Sequence, residues 1–333
     1  MKMSIYFFAL LVCAIGLSSS CESKKKTINP ESSNIDTMLM KHPDSLPILI
    51  RHGQFYFDKR NFEKASESAT KAFRLDSSNV EVRMLYALVL NNSPTRTIAD
   101  VLRSQRHYDY IIKKEPRNTA ALIGIASTYS MLREFDKSFQ YINEALRIDK
   151  KYRDAYILKG TNYREMNNMP LAKSSYETAT QQDPTFYEAY IALGDMYLSE
   201  NNPIAIQYYT TATQIVPDDV GVLYKLAFAY QALERFGEAA QTYRDMFQKD
   251  ETFAMSLFQQ GYMKHINLNE IDSAMIFYRQ ALVIEPRFVE AWHNLGLCYE
   301  SKRDKAQALQ SYSRALKLNP NFEKSRLAAE ALR

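Results

Sequence analysis

The chain has 333 residues, enough for one large domain or two ordinary ones, and 46% hydrophobic residues supply a core. Nine glycines and eleven prolines are too few for the turns of a β-sandwich or an α/β barrel. A net charge of +4, with no lysine-rich run on a helix face, gives no case for nucleic acid.

The amino terminus reads as an export signal. Lys2 is a thin positive start, and Tyr6 to Leu17 is an apolar stretch too short to span a bilayer comfortably. Ser18, Ser19 and Ser20 then lead to Cys21. Small residues let a peptidase approach the backbone, and the thiol can take a lipid. This arrangement resembles the lipobox of bacterial lipoproteins, although Ser18 stands where that family usually has leucine. Cys13 is the poorer site, because cleavage there would discard half the apolar core. The alternatives are a plain secretory leader with an incidental cysteine, or a short membrane anchor. The resemblance implies a signal peptide over 1–20, lipidation of Cys21 and a flexible tether over 21–45. Two or more acyl chains anchor stably where one does not, and bacterial lipoproteins carry three. Glu22 is not the aspartate that often retains such proteins in the inner membrane, so an outer-membrane lipoprotein of the bacterial envelope is expected. Cys298 is then the one cysteine left in the body of the chain, which excludes an internal disulfide and a cysteine metal cluster.

From residue 46 onward a period emerges. Repeat starts fall near 46, 80, 119, 153, 187, 220, 254 and 289, at intervals of 34, 39, 34, 34, 33, 34 and 35. The last copy, 289–322, carries Trp292, Leu295, Gly296, Tyr299, Ala308, Tyr312, Ala315 and Pro320. The fifth, 187–219, repeats the set as Tyr190, Leu193, Gly194, Tyr197, Ala205, Tyr209, Ala212 and Pro217. The fourth, 153–186, keeps Tyr156, Gly160, Tyr163, Ala172, Tyr176, Ala179 and Pro184, with Lys159 in place of leucine. The first (46–79), third (119–152) and sixth (220–253) keep shorter subsets. The second, 80–118, holds about five extra residues around Asn91–Pro94, which predicts a longer inter-helix loop and an extended second helix. In the seventh, 254–288, Lys264 replaces the tyrosine.

This spacing resembles the tetratricopeptide repeat. Repeat positions 4, 7, 8 and 11 lie on one face of a first helix, and 20, 24 and 27 on one face of a second. Glycine or alanine at 8 and alanine at 20 let the two axes approach, aromatic residues fill the gaps beside them, and proline at 32 separates one pair from the next. The fold expected is all-α: a right-handed superhelical solenoid of about eight helix-turn-helix repeats over 46–322, closed by an amphipathic capping helix over 323–333.

The resemblance also implies a groove lined by positions 2, 5, 9 and 12 of the first helices. Tyr224, Phe228, Phe258, Tyr262, His265 and His293 fall there, with Met255, Asp195 and Leu297 nearby. The helix–helix seam does not require large rigid side chains at these positions, and such side chains suit capture of a peptide or helix from a partner protein. The alternative is that they are buried against one another. His265 and His293 lack a carboxylate or cysteine set, so they make a poor metal site. Cys298 reads as packing rather than as a nucleophile. No phosphate-binding loop, nucleophile elbow or zinc-helix motif occurs, and no cofactor is expected. The function expected is a non-catalytic, envelope-anchored scaffold for protein partners, in envelope assembly or secretion. A glycan-capturing uptake lipoprotein is the alternative, although the one tryptophan sits on the seam. An enzyme would need a catalytic domain for which the repeats leave no room.

Overall fold

The computed structural model describes residues 30–332, with side chains from residue 34. The leader, Cys21 and the first part of the expected tether, 22–29, lie outside the described residues. The chain divides into two compact units, 1–162 and 163–333. Among the described residues there are eighteen α-helices, one short π-helix and no strand. The architecture is an all-α solenoid of helix pairs.

In the first unit, α1 (Pro30–Lys41) precedes three pairs: α2 (Leu46–Asp58) with α3 (Phe62–Leu75), α4 (Val80–Asn92) with α5 (Ile98–Lys114), and α6 (Thr119–Met131) with α7 (Phe135–Ile148). The division between the units falls within α8 (Arg153–Glu165). The second unit holds α9 (Met169–Gln182), α10 (Tyr187–Ser199) with α11 (Ile204–Ile215), and α12 (Val220–Ala232) with α13 (Phe236–Lys249). It continues with α14 (Ala254–Tyr262), a π-turn at Met263–Asn267 and α15 (Ile271–Ile284). The last pair, α16 (Val289–Ser301) with α17 (Lys305–Leu318), is followed by α18 (Glu323–Ala331).

The helices begin where the sequence supplies an acceptor. Asn61, Asn79, Asn118, Asn168 and Asp304 each accept a backbone N–H from the first turn of the helix they open. Most pairs turn through one residue in the left-handed region: Arg60, Arg133, Asn167, Asn201, Glu234, Asn269 and Arg303 have φ between 53° and 61°. The residue after it donates its N–H to the seam position 11 carbonyl, as Glu134 does to Tyr129 and Asp304 to Tyr299. The seam itself is sealed. Ala205, Ala239, Ala274 and Ala308 are fully buried, as are the rings of Tyr209, Tyr243, Tyr278 and Tyr312. Alanine admits the neighbouring axis, and the tyrosine fills the space that remains.

Two places differ from the reading of the sequence. Residues 30–41 are helical rather than part of a flexible tether. Ile35 is buried, and Met38 and Leu39 are half-buried against the first pair, on clusters that include Tyr56, Ala65, Leu49 and Ala72. Spacing of i, i+3 and i+4 gives α1 one apolar stripe, and the neighbouring pair supplies the order that its composition lacks. The second difference is the π-turn in the seventh copy. That copy is 35 residues long, and its left-handed residue, Asn269, is the sixteenth rather than the fifteenth. The extra residue is therefore inside the first helix. The helix absorbs it as a bulge, with Leu268 N–H reaching the Met263 carbonyl. In the second copy, residues 93–97 link the two helices, and α5 runs 17 residues from a Thr97 cap.

Candidate functional site

The first helices of the second unit turn a mixed aromatic and polar face away from their partners. On α12, Leu223, Leu226, Ala227 and Tyr230 serve the seam, Tyr224 packs half-buried against the same core, and Lys225 and Phe228 are more open to solvent. Phe228 is 38% exposed. Its ring stacks on Tyr224 with centroids 6.4 Å apart and planes 19° from parallel. Tyr224 is half-buried, 6.2 Å from the core ring of Tyr243. Its hydroxyl accepts the amide N–H of Gln259 from α14 at 3.0 Å, which ties the stack to the next pair. Tyr262 and Met255 are half-buried on the same helix as Gln259. Beside the stack, Lys225 Nζ donates to Asp195 of α10 at 2.7 Å, and the Tyr209 hydroxyl donates to the same carboxylate at 2.5 Å. The polar flank is thus fixed to the seam below it.

Three of the expected groove residues are elsewhere. Phe258 is 9% exposed, with its ring 4.7 Å from Phe288 and 5.7 Å from Tyr278. It fills the joint with the next pair. His265 is turned inward by the π-turn, and its Nδ1 lies 3.6 Å from the buried Cys298 sulfur. Burial lowers its pKa, so the ring is neutral at pH 7. His293 is covered by the carboxy-terminal helix. Its Nδ1 is 3.0 Å from Ser325 Oγ, and Tyr312 and Phe322 flank the ring. Burial first, and Lys324 second, push its pKa down to about 4. Phe258, His265 and His293 are therefore packing residues, which corrects their assignment to a partner-binding surface. The two histidines answer to different neighbours, Cys298 and Ser325. Cys298 is fully buried, and burial pushes its thiol up to about 12.

Sequence reasoning passed over Lys225 and Gln259, because both occupy position 6, which the repeat pattern leaves unspecified. It also missed a polar network at the other end of the array. There Asp36 of α1 meets His52, Tyr56 and Lys64. Among the described residues no helix is long and apolar enough to cross a membrane.

Paired helices with small residues at the crossing, repeated along the chain, define a tetratricopeptide-repeat solenoid. Four stretches match that repeat directly: residues 46–79, 119–152, 154–186 and 289–322. The chain is 22% identical over 273 residues to anaphase-promoting complex subunit 3 of Schizosaccharomyces pombe, which covers 82% of this chain and 40% of that protein. It is 25% identical over 210 residues to protein O-mannosyl-transferase TMTC1 of Homo sapiens, 62% of this chain and 22% of that protein. It thus spans less than half the length of either relative. Among solved structures, a chain of the APC/C hetero-tetramer Cut9–Hcn1 is similar, with a TM-score of 0.54 at 16% identity. That likeness covers 90% of this chain and 58% of the other, and it bears on the fold alone.

Proposed function

We propose that the chain is a non-catalytic interaction scaffold of the bacterial cell envelope, anchored through acylated Cys21, whose first-helix face binds a peptide or helix of a partner protein. The observation that carries the binding reading is the exposed Phe228–Tyr224 stack. Phe228 is a large apolar ring that the seam does not require, held by Tyr224 beneath it and flanked by the Lys225–Asp195 pair. Tyr262 and Met255 extend it by one helix pair. The repeats themselves, and the likeness to a subunit named for the complex it belongs to, support a scaffold. The transferase is matched over 22% of its own length, so its name lends no support to catalysis here. Trp292 gives a glycan no platform, because its ring lies at a seam position and its N–H is spent on the Pro286 carbonyl. The anchoring reading rests on the lipobox-like stretch Leu17–Cys21.

Two experiments address the two halves of this reading. Phe228→Ser should lower stability by no more than about 1 kcal/mol, the share of a ring that is only partly buried, and leave the fold intact. It should also remove the partner from envelope crosslinking and pull-down. A variant that captures the same partners as the parent would end the binding reading. Cys21→Ala should shift the protein from the detergent phase to the aqueous phase. Retention with membranes would end the anchoring reading.

A further inference from the structure

Five side chains converge where α1 meets the first helix pair. Asp36 is the centre. Its Oδ1 is 2.9 Å from His52 Nε2 and accepts the Tyr56 hydroxyl at 2.7 Å, and its Oδ2 accepts Lys64 Nζ at 3.0 Å. Lys64 also donates to the Tyr56 hydroxyl at 2.9 Å, and Ser68 Oγ is 2.7 Å from His52 Nδ1. His52 and Ser68 are 5% and 3% exposed.

A serine, a histidine and an aspartate in hydrogen-bonded series resemble a hydrolytic relay. The setting excludes that role. Ser68 lies in the interior of α3, so its backbone N–H is committed to the helix, and no pair of free backbone donors faces its hydroxyl. A hydroxyl also recurs at this point of other copies, spent on the carbonyl one turn back in its own helix. Ser175 donates to the Leu171 carbonyl, Thr242 to that of Glu238 and Ser311 to that of Gln307.

The unusual member is His52. It holds seam position 7, which is Ile125, Leu193, Leu226 and Leu295 in four other copies. One buried aliphatic contact has been exchanged for a directional one, in the copy that α1 covers. The apolar grip of α1 is meanwhile small. Among its described side chains Ile35 is the one buried aliphatic, Met40 is 81% exposed, and a 340 Å³ gap remains between Leu39, Met40 and the α3 residues Glu67 and Lys71. Lys71 pairs with Asp44 at 2.9 Å just beyond the helix. Burial alone would raise the Asp36 pKa, but the hydrogen bonds from Tyr56, Lys64 and His52 outweigh it and hold the carboxyl below its usual range.

The geometry points to a carboxylate-binding site on the first helix pair, formed by His52, Tyr56 and Lys64, in which Asp36 docks α1 as a releasable latch. The consequence for reach rests on the anchoring reading above. With α1 docked, the eight residues 22–29 separate Cys21 from Pro30, a reach of about 30 Å at most. With α1 released, the link runs over residues 22–45 to Leu46, a reach of about 85 Å at most. The latch then sets how far the array stands from its anchor.

The test is amide hydrogen exchange of the full chain, followed over residues 31–41 by mass spectrometry. It reads α1 alone and is independent of Cys21. Asp36→Asn should accelerate exchange in α1 by about tenfold or more, and leave α3, α5 and the second unit unchanged. His52→Leu restores the aliphatic residue of the other copies. It should free α1 equally while holding or raising the thermal midpoint of the array. Lys64→Met, at a partly exposed position, should act in the same direction should His52→Leu impair folding. Undiminished protection of α1 in Asp36→Asn would overturn the inference. So would loss of protection throughout the array, which would make α1 an integral support rather than a latch.

Discussion

Gly296 shows what the seam demands of a single residue. A Cβ built there would lie 2.4 Å from Cε1 of Tyr312, a fully buried ring with no room to retreat. Overpacking of this kind costs about 1–3 kcal/mol, against which the better helix propensity of alanine returns about 1 kcal/mol. Gly296→Ala should therefore lower stability by up to about 2 kcal/mol, read as a lower urea midpoint with an unchanged slope. Gly237, with nothing within 4 Å of its virtual Cβ, supplies the control, and Gly237→Ala should be neutral or slightly stabilising. The pairing of Gly296 with Tyr312 was legible in the sequence, because small and aromatic residues recur at one spacing for one steric reason. The fate of Phe258 was not. A repeat position says which way a side chain points, but Phe258 is buried by Phe288 from the next pair, a neighbour the pattern does not specify.

At the scale of elements, the departures from the period carry the most information. The long loop and extended helix of the second copy were visible as five extra residues, and the structure shows how the longer helix is started. Thr97 Oγ1 accepts the Asp100 N–H, and the Asp100 carboxylate accepts the Thr97 N–H at 2.8 Å, a reciprocal cap. The backbone hydrogen bond from Thr97 is the largest influence holding the Asp100 pKa below its usual range. Thr97→Ala should cost about 1 kcal/mol and speed amide exchange in the first turn of α5, with the remaining helices unaffected. The extra residue of the seventh copy was equally visible as a 35-residue interval, but its position was not. Counting straight through put His265 on the open face. His265 lies inside the bulge itself, at 263–267, and faces Cys298 instead. Helix α1 escaped notice for a related reason. Ile35, Met38 and Leu39 make a short stripe in a polar context, and only the adjoining pair gives that stripe something to cover.

For the whole molecule, the half-buried His107 and the buried His293 govern how stability falls with acid. His107 in the first unit and His293 in the second both have pKa values pushed down to about 4. Burial is the main cause in each. Around His107 the added positive charges are Arg83, whose Nη1 is 3.1 Å from Nδ1, then Arg106 and Arg103, while Phe73 and Tyr86 close the other sides. Around His293 the added charge is Lys324, with Ser325, Tyr312 and Phe322 as the remaining neighbours. An unfolded histidine takes its proton near pH 6.5. Between that pH and about 4 the unfolded chain binds protons that the folded chain refuses, so stability falls as pH falls. The contribution is fully present above the unfolded value. The thermal midpoint should accordingly be flat above about pH 7.5 and decline from about 6.5 to 4, by up to one proton's slope per histidine. The carboxylates held low, Asp36 and Asp100 among them, act in a separate window below the ordinary carboxylate range. His107→Asn and His293→Asn should each remove one share of the upper decline and leave the lower one intact. A midpoint that does not change between pH 6.5 and 4 in the parent would mean that the two rings take protons as readily folded as unfolded, and that the helices covering them open without cost.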